Sequence, residues 1–422
     1  MQMRTAGARD VRIAAMAILV LGAVAAGRAR ADGADSLKSA FSETKYILDA
    51  RVRSEDVEQE GIANDANATT LRARLGFETG KVWGTSLLVE GEAVVPLETD
   101  YRPDPMVAEM VTYPVVADPE SYAINRLQLV NTSVPGTTLT LGRQRITLDD
   151  QRFVGNVGWR QNEQTYDAFR VVNKSVKNLV LDATWLNQVN RVFGERSPQG
   201  TYDGDSVLLN AGYQTKIGRI TAFGYLLRFD NIVGVPAAVR DSSSTYGLRF
   251  AGDHAAGKVK LGYVASWATQ TDYGDNPLTF DLDYTTAELT ATYKQFGLGA
   301  GIEVMEGNGV KGFTTPLATL HKFQGWADKF LTTPVNGIED VYVTATSSFK
   351  ALGGLDTLGL VLSYHDYNAE HISADYGTEW NISVAAKVKK LGFMIKYADY
   401  DQGVLASARD TEKFWMQMEY VW

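Results

Sequence analysis

The side chains with the most chemistry to offer in this sequence are arginines, and what they offer is recognition of anions rather than bond making. Catalytic constellations are poor. The four histidines, His254, His321, His365 and His371, have no metal-ligand spacing, no G-x-S-x-G nucleophile turn occurs, and there is no cysteine. Without cysteine there is no disulfide framework, thiolate metal site or thiol nucleophile. No cofactor or metal is expected, and the chain does not read as an enzyme. By contrast, Arg51 and Arg53, then Arg72 and Arg74, recur at every second residue of two segments with strand-like alternation, so each pair falls on one face. Arg126 and Arg170 hold comparable places in two later segments. A guanidinium grips a carboxylate through two parallel hydrogen bonds, so a row of them along a pore wall makes an anion track. The bland reading is that these cations pair across strands with acids such as Asp49, Glu90 and Glu92 and stiffen the wall. Both readings stay open.

The densest polar stretch runs Gly142-Arg143-Gln144-Arg145-Ile146 and then from Asp149 to Gln164, with Arg152, Trp159 and Arg160 inside it. Arginine and tryptophan suit carboxylates and sugar rings, the first by its fork and the second by its apolar face. Strict alternation puts Arg143 and Arg145 on the face of Leu141. A bulge at Gly142 is expected to turn them to the other face. An ordinary loop held by its own hydrogen bonds is the alternative. A second long segment, from Gly312 to Gly337, is apolar enough (Phe313, Leu317, Phe323, Trp326, Phe330) to fold into a pore mouth as a helical turn or to pack on an inner rim.

The elements that must position these residues are strands. Period-2 alternation recurs in eighteen segments, from 45–54 and 69–79 through 137–147 and 163–173 to 391–401 and 411–422. Boundaries shift by a few residues in such readings, so sixteen is also compatible. Connections alternate short and long. Gly80-Lys81-Val82, Lys216-Ile217-Gly218 and Lys390 are short, whereas 55–68, 96–120, 148–162, 189–202, 231–242 and 307–337 are long. Transmembrane barrels sort their loops this way, and a soluble sandwich has no reason to. In Leu71 to Glu78 one face is Leu, Ala, Leu, Phe and the other Arg, Arg, Gly, Glu. Arginine on a lipid face costs about 2–4 kcal/mol at mid-bilayer, so the charged face must line the lumen. The fold class is therefore all-β, a transmembrane antiparallel β-barrel.

The ends fit an exported barrel. Arg4, Arg9 and Arg12 precede an apolar run from Ile13 to Ala26, and Ala29-Arg30-Ala31 offers a cleavage site. This reads as a signal peptide over 1–31, with the barrel over 32–422. At the other end Phe414, Met416, Met418, Tyr420 and Trp422 alternate as a lipid face. That ending resembles the assembly signal of outer-membrane barrels, with tryptophan in place of the usual phenylalanine, which implies the barrel-assembly machinery and outer-membrane lipids as partners. The net charge of −9 argues against nucleic acid as a partner.

Three stretches together, Gly142 through Gln164 to Asp167, Asp118-Pro119-Glu120 with Asn125-Arg126, and Thr315-Pro316 to Trp326, resemble bacterial proteins of the alginate-export family, over nearly all of the chain after the leader. The resemblance implies a monomeric outer-membrane barrel of about 18 strands that passes an anionic polysaccharide through a constriction lined by arginine and lysine. It implies a solute-binding role for Arg126, Arg143, Arg145, Arg152 and Arg160. Glu90 and Glu92 on the inward face depart from that pattern. The expected function is passive passage of anionic saccharides or similar anionic solutes. A general-diffusion porin of weak selectivity is the alternative, and a barrel enzyme is the alternative of another class.

Overall fold

The computed structural model describes residues 33–422 apart from 233, 234 and 236; the leader expected over 1–31 lies outside the described residues. A ten-residue helix, α1 (Gly33–Ser42), is followed by β1 (Lys45–Gln59), β2 (Ala66–Glu78), β3 (Thr85–Pro96), β4 (Ser121–Asn131), β5 (Thr137–Gln144), β6 (Thr165–Asn173), β7 (Leu179–Asn190), β8 (Thr201–Gln214) and β9 (Arg219–Leu227). After a short helix, α2 (Ala237–Arg240), come β10 (Ser243–Ala256), β11 (Val259–Asp272), β12 (Asp281–Tyr293), β13 (Phe296–Met305), β14 (Ile338–Leu352), β15 (Leu355–Asn368), β16 (Asp375–Val388), β17 (Leu391–Gln402) and β18 (Thr411–Val421). Each strand pairs antiparallel with its chain neighbours, and β1 pairs with both β2 and β18, so one 18-stranded sheet closes on itself. Closure joins the first strand to the last, which is what lets a sheet sit in lipid. Among the described residues no helix is long and apolar enough to cross a membrane.

Alternation sorts the side chains as the sequence predicts. Outward residues such as Leu75, Leu289 and Leu298 are more than 60% exposed, while Arg72, Glu90 and Glu379 on the inward face are at most 1% exposed. A soluble barrel would invert this. Aromatic residues crowd the short-turn rim, where Phe250 stacks on Tyr263 and Phe296 meets Phe349 edge-on; girdles of this kind mark membrane interfaces. Several strands are longer than the about 9–11 residues that a tilted crossing needs. β1, expected to end at residue 54, runs to Gln59.

Among the register shifts of the ladder, two bear on the site. In the β3–β4 pair, Glu90 opposes Arg126 and Gly91 opposes Ile124, so Asn125 is the extra residue. In the β6–β7 pair, Asp167 opposes Gln188 and Ala168 opposes Leu186, so Asn187 is extra. The bulge expected at Gly142 is absent: Gly142 pairs in register with Gln128 and Ala168, although its φ is +109°.

Candidate functional site

The lumen is obstructed by two segments that leave the wall and meet across it. The first begins where β5 ends at Gln144, three residues before the expected end, and returns to the wall at Thr165. The second joins β13 to β14 and contains one helical turn, of the 3-10 kind, at Leu320–Lys322. They form a parallel bridge at Val154 and Leu317; Gly155 N donates to Leu317 O at 2.8 Å and Thr319 N to Gln151 O at 3.1 Å. Close approach needs a glycine here, since a Cβ at Gly155 would stand 2.2 Å from Thr319 Oγ1. Val157 is held at φ +49°, its N–H donating to the same hydroxyl. A β-branched residue rarely adopts that conformation, so the crossing over-determines it.

The arginines of β1 and β2 are the seat of the first segment. Arg51 opposes Arg72 and Asp49 opposes Arg74 in the ladder. Arg51 binds Glu419 at 2.7 Å and donates from its other nitrogen to the carbonyls of Gly158 and Trp159, both at 3.2 Å. Arg72 reaches Asp49 and Glu419, and Arg74 reaches Glu92. Arg53 donates to Gln417 and lies 4.0 Å from the Trp159 ring. All four are buried. The expected ladder thus exists on one wall, covered by the segment it anchors.

Deeper anchors come from the segment itself. Arg152 binds Glu303 at 2.7 Å and Thr315 at 3.0 Å. Arg160 sits among Glu55 (2.9 Å), Asp328 (3.0 Å) and Asp118 (3.8 Å). Burial alone would lower its pKa, but these three carboxylates hold it above the ordinary value. On the second segment His321 contacts Asp328 at 2.6 Å and Lys396 at 2.7 Å, and its ring stacks on Trp159 at 4.2 Å. Burial pushes the His321 imidazole well below its usual range, although Asp328 pulls the other way. Burial would push the Asp328 carboxyl up, yet His321, Lys413 and Arg160 keep it well below the ordinary value. The Lys396 ammonium lies 3.7 Å from the Trp326 ring centre and 4.1 Å from that of Trp159. Trp159 therefore joins both segments to the wall.

The luminal arginines that keep some exposure form a separate row. Arg126 grips Glu90 through two hydrogen bonds, at 2.8 and 2.6 Å. Arg145 turns inward beyond the end of β5, reaching Glu163 at 2.5 Å and Glu90 at 3.2 Å. Arg170 pairs with Asp182 at 2.5 Å, and Arg249 with Asp150 at 3.0 Å. The bulge at Asn125 lets consecutive residues face inward, so that Asn125 donates to both Glu90 and Glu163 beside Arg126. Glu90 thus collects donors from Arg126, Arg145 and Asn125.

Arg143 is a correction. It opposes Leu127, which is 45% exposed on the outer wall, and binds Asp167 through two hydrogen bonds at 2.8 and 3.0 Å. Because Asp167 is its register partner on the same face, the charge is met where it stands and no bulge is needed to turn it inward. Sequence reasoning assigns no role to Glu163, Asn125, Asp118 or His321, and places Lys396 on the inward face without its partners. Asp118, Asn125 and Glu163 lie within the stretches that carry the family resemblance, but several of the contacts that define these residues, such as Asn125 to Glu90 and Lys396 to His321, join distant parts of the chain, and patterning does not show them. Both ring nitrogens of His321 are engaged, one by Asp328 and the other by Lys396, and His365 faces Asp340 at 3.0 Å. Among the described residues no cluster of histidine and acids is arranged to hold a metal ion.

Comparison with known proteins agrees with this architecture. Residues 125–287 match the alginate export family. No curated protein matches the chain. Among solved structures, Pseudomonas aeruginosa OpdK with vanillate superimposes with a TM-score of 0.69 at 13% identity, covering 90% of this chain and 99% of that one. OpdO of the same organism gives 0.68 at 13% identity over 92% and 99%, and its OpdL gives 0.67 at 16% over 90% and 99%. At such identities these likenesses speak for the fold. Taken with the closed wall, its apolar belt and its charged interior, the matches make the chain an outer-membrane β-barrel of a Gram-negative bacterium, porin-like in fold and similar to the alginate export family over residues 125–287.

Proposed function

We propose that the barrel is a passive channel for anionic saccharides of the polyuronate type, or for similar carboxylate-bearing solutes, with Arg126, Arg145 and Arg170 as the residues a passing carboxylate meets. The observation that carries this reading is the sharing of Glu90. One wall carboxylate serves two arginines and an amide, so a solute carboxylate entering beside it finds a guanidinium already oriented and partly buried. Arg51, Arg53, Arg72, Arg74, Arg152 and Arg160 act indirectly in this scheme, by fixing the segment that narrows the lumen. OpdK, which shares the fold, was solved with vanillate, and a carboxylate is the group vanillate has in common with a uronate.

A general-diffusion porin is the second reading, favoured by the pairing of Arg126, Arg145, Arg170 and Arg249 with acids. Single-channel recording of refolded protein under a salt gradient separates the two. The selective channel gives an anion-directed reversal potential and is blocked by uronate oligosaccharides. A hydrogen bond to a charged group is worth about 1.5–3 kcal/mol, so Arg145→Ala or Arg126→Ala weakens block by roughly tenfold to a hundredfold. Arg143→Ala, on the outer wall, leaves block unchanged. A large current indifferent to the sugar and to both luminal substitutions refutes the selective reading.

A further inference from the structure

The wall is not uniformly closed. β4 and β5 share only five ladder pairs, from Leu127 opposite Arg143 to Asn131 opposite Leu139. Beyond them β5 leaves the wall, while β4 continues to Ser121 along β3 and β6 continues to Thr165 along β7. Residues 121–126 therefore have an edge with no strand beside it, at the long-loop end of the barrel. A cleft of about 1010 Å³ occupies this place. Its lining includes lipid-facing Leu75, Leu127, Leu141 and Trp185, and also Ala123 and Ala168, which the ladder puts on the luminal face. The cleft thus enters the thickness of the wall from its outer side.

Its polarity is graded. The apolar part is continuous with the exposed belt of Leu75, Ile124 and Leu127. At the long-loop end stand Arg143, Asp167 and Asn187, the bulged residue of β7. Arg143 donates to Ile124 O at 3.1 Å, which satisfies a carbonyl of the open edge. Backbone groups facing hydrocarbon must find partners, and here a guanidinium supplies one. Loop 191–200 roofs the cleft, with Glu195 3.6 Å from Arg143.

We infer that this cleft between β4 and β6 is a binding site for a lipid of the outer leaflet, its acyl chain seated among Leu75, Leu127, Leu141 and Trp185 and its ester or amide carbonyls level with Arg143 and Asn187. The mouth opens on the lipid-facing belt, where the surrounding medium is hydrocarbon, and the polar groups lie where a lipid changes from tail to head. Buried methylenes favour such seating, and the ligand closes the wall that β5 leaves open.

The chain has no cysteine, so a single label reports cleanly. Ala123→Cys carrying bimane, on the luminal side of the cleft, is compared with Thr344→Cys on the luminal face of β14, where the ladder is complete on both sides. In vesicles of phosphatidylcholine with brominated acyl chains, the label at 123 is quenched several-fold more than that at 344. Gly91→Phe fills the cleft, since a Cβ there meets nothing closer than 3.9 Å, and abolishes the difference. Ala73→Leu fills it from β2 and does the same should the bulge beside Gly91 not tolerate Phe. Equal quenching at the two sites, or quenching at 123 by aqueous iodide and not by the brominated chains, overturns the inference and makes the cleft a water-filled extension of the lumen.

Discussion

Removing Arg160 tests whether the first infolded segment is held by ionic anchors. The guanidinium is 7% exposed and faces Glu55, Asp118 and Asp328, of which Lys413 also serves Asp328 at 3.1 Å. Arg160→Ala leaves these acids with Lys413, 3.1 Å from Asp328 and 3.9 Å from Glu55, and with Arg53, 3.9 Å from Asp118. Taking one partner from a buried pair costs about 3–5 kcal/mol, because the other charge stays desolvated. At 1.4 kcal/mol per decade, that is roughly a hundredfold to several-thousandfold loss in the seated population of the segment. The Val154–Leu317 crossing and the Arg51 carbonyl contacts do not involve the Arg160 side chain and offset part of this. The strand ladders are untouched, so the barrel persists in detergent and in the bilayer. The expected result is a folded barrel with larger and noisier single-channel conductance, and partial recovery when Glu55→Gln is added, which removes one of the stranded charges. A folded Arg160→Ala barrel with the conductance and noise of the parent would refute the anchoring argument.

Two other outcomes come from the same geometry. Burial, with Lys413 nearby, lowers the Lys329 ammonium to about 8 from its ordinary 10.5, against the pull of Glu379 and Asp328. Between these values the unfolded chain binds more protons than the folded one, so stability rises with pH across that window. The lumen meanwhile loses a positive charge, and anion preference measured by reversal potential falls as pH passes 8; in Lys329→Met that step is missing. Gly142→Ala puts a Cβ 2.3 Å from Leu127 O at a backbone φ of +109°. Strain of that kind costs about 1–3 kcal/mol in the pairing that joins β4 to β5 by five ladder pairs, which lowers the temperature at which the detergent-solubilised barrel unfolds.

The barrel is legible in the sequence because its two strongest signals are periodic. Charge on alternate residues fixes which face meets lipid, and loop length sorted by parity fixes which rim carries the turns. Neither signal depends on contacts remote in the chain. The site is legible only in part, and the failures share a cause. Residue type alone points Arg143 inward, but its register partner Asp167 lies on the same outward face, and register with a residue 24 positions away leaves no local mark. No bulge forms at Gly142; the one that serves the site is at Asn125, opposite Glu90 and Gly91 on the neighbouring strand. The crossing of Val154 with Leu317, and the seating of Trp159 between Arg53 and His321, join segments far apart in the chain. Patterning marks both segments as unusual without showing that they meet.

Under the proposed function, the pairing of interior charges aids selectivity instead of opposing it. An unpaired arginine in a narrow lumen would keep a tightly held counterion or water shell, and a solute would have to strip it. Here the wall carboxylates do that in advance. Arg126, Arg145 and Asn125 all converge on Glu90, so exchanging one of its contacts for a solute carboxylate conserves the number of charge-assisted hydrogen bonds. Under the proposed function the solute bears neither full desolvation of the guanidinium nor the entropy of orienting it. Release is favoured for the same reason, since Glu90 recovers its donor when the solute moves on. Conduction requires binding that is favourable enough to enter and weak enough to leave. Glu90→Gln distinguishes this exchange from simple attraction: loss of the competing charge tightens uronate block while slowing its release, whereas a wall acting only through net charge speeds entry and leaves the residence time unchanged.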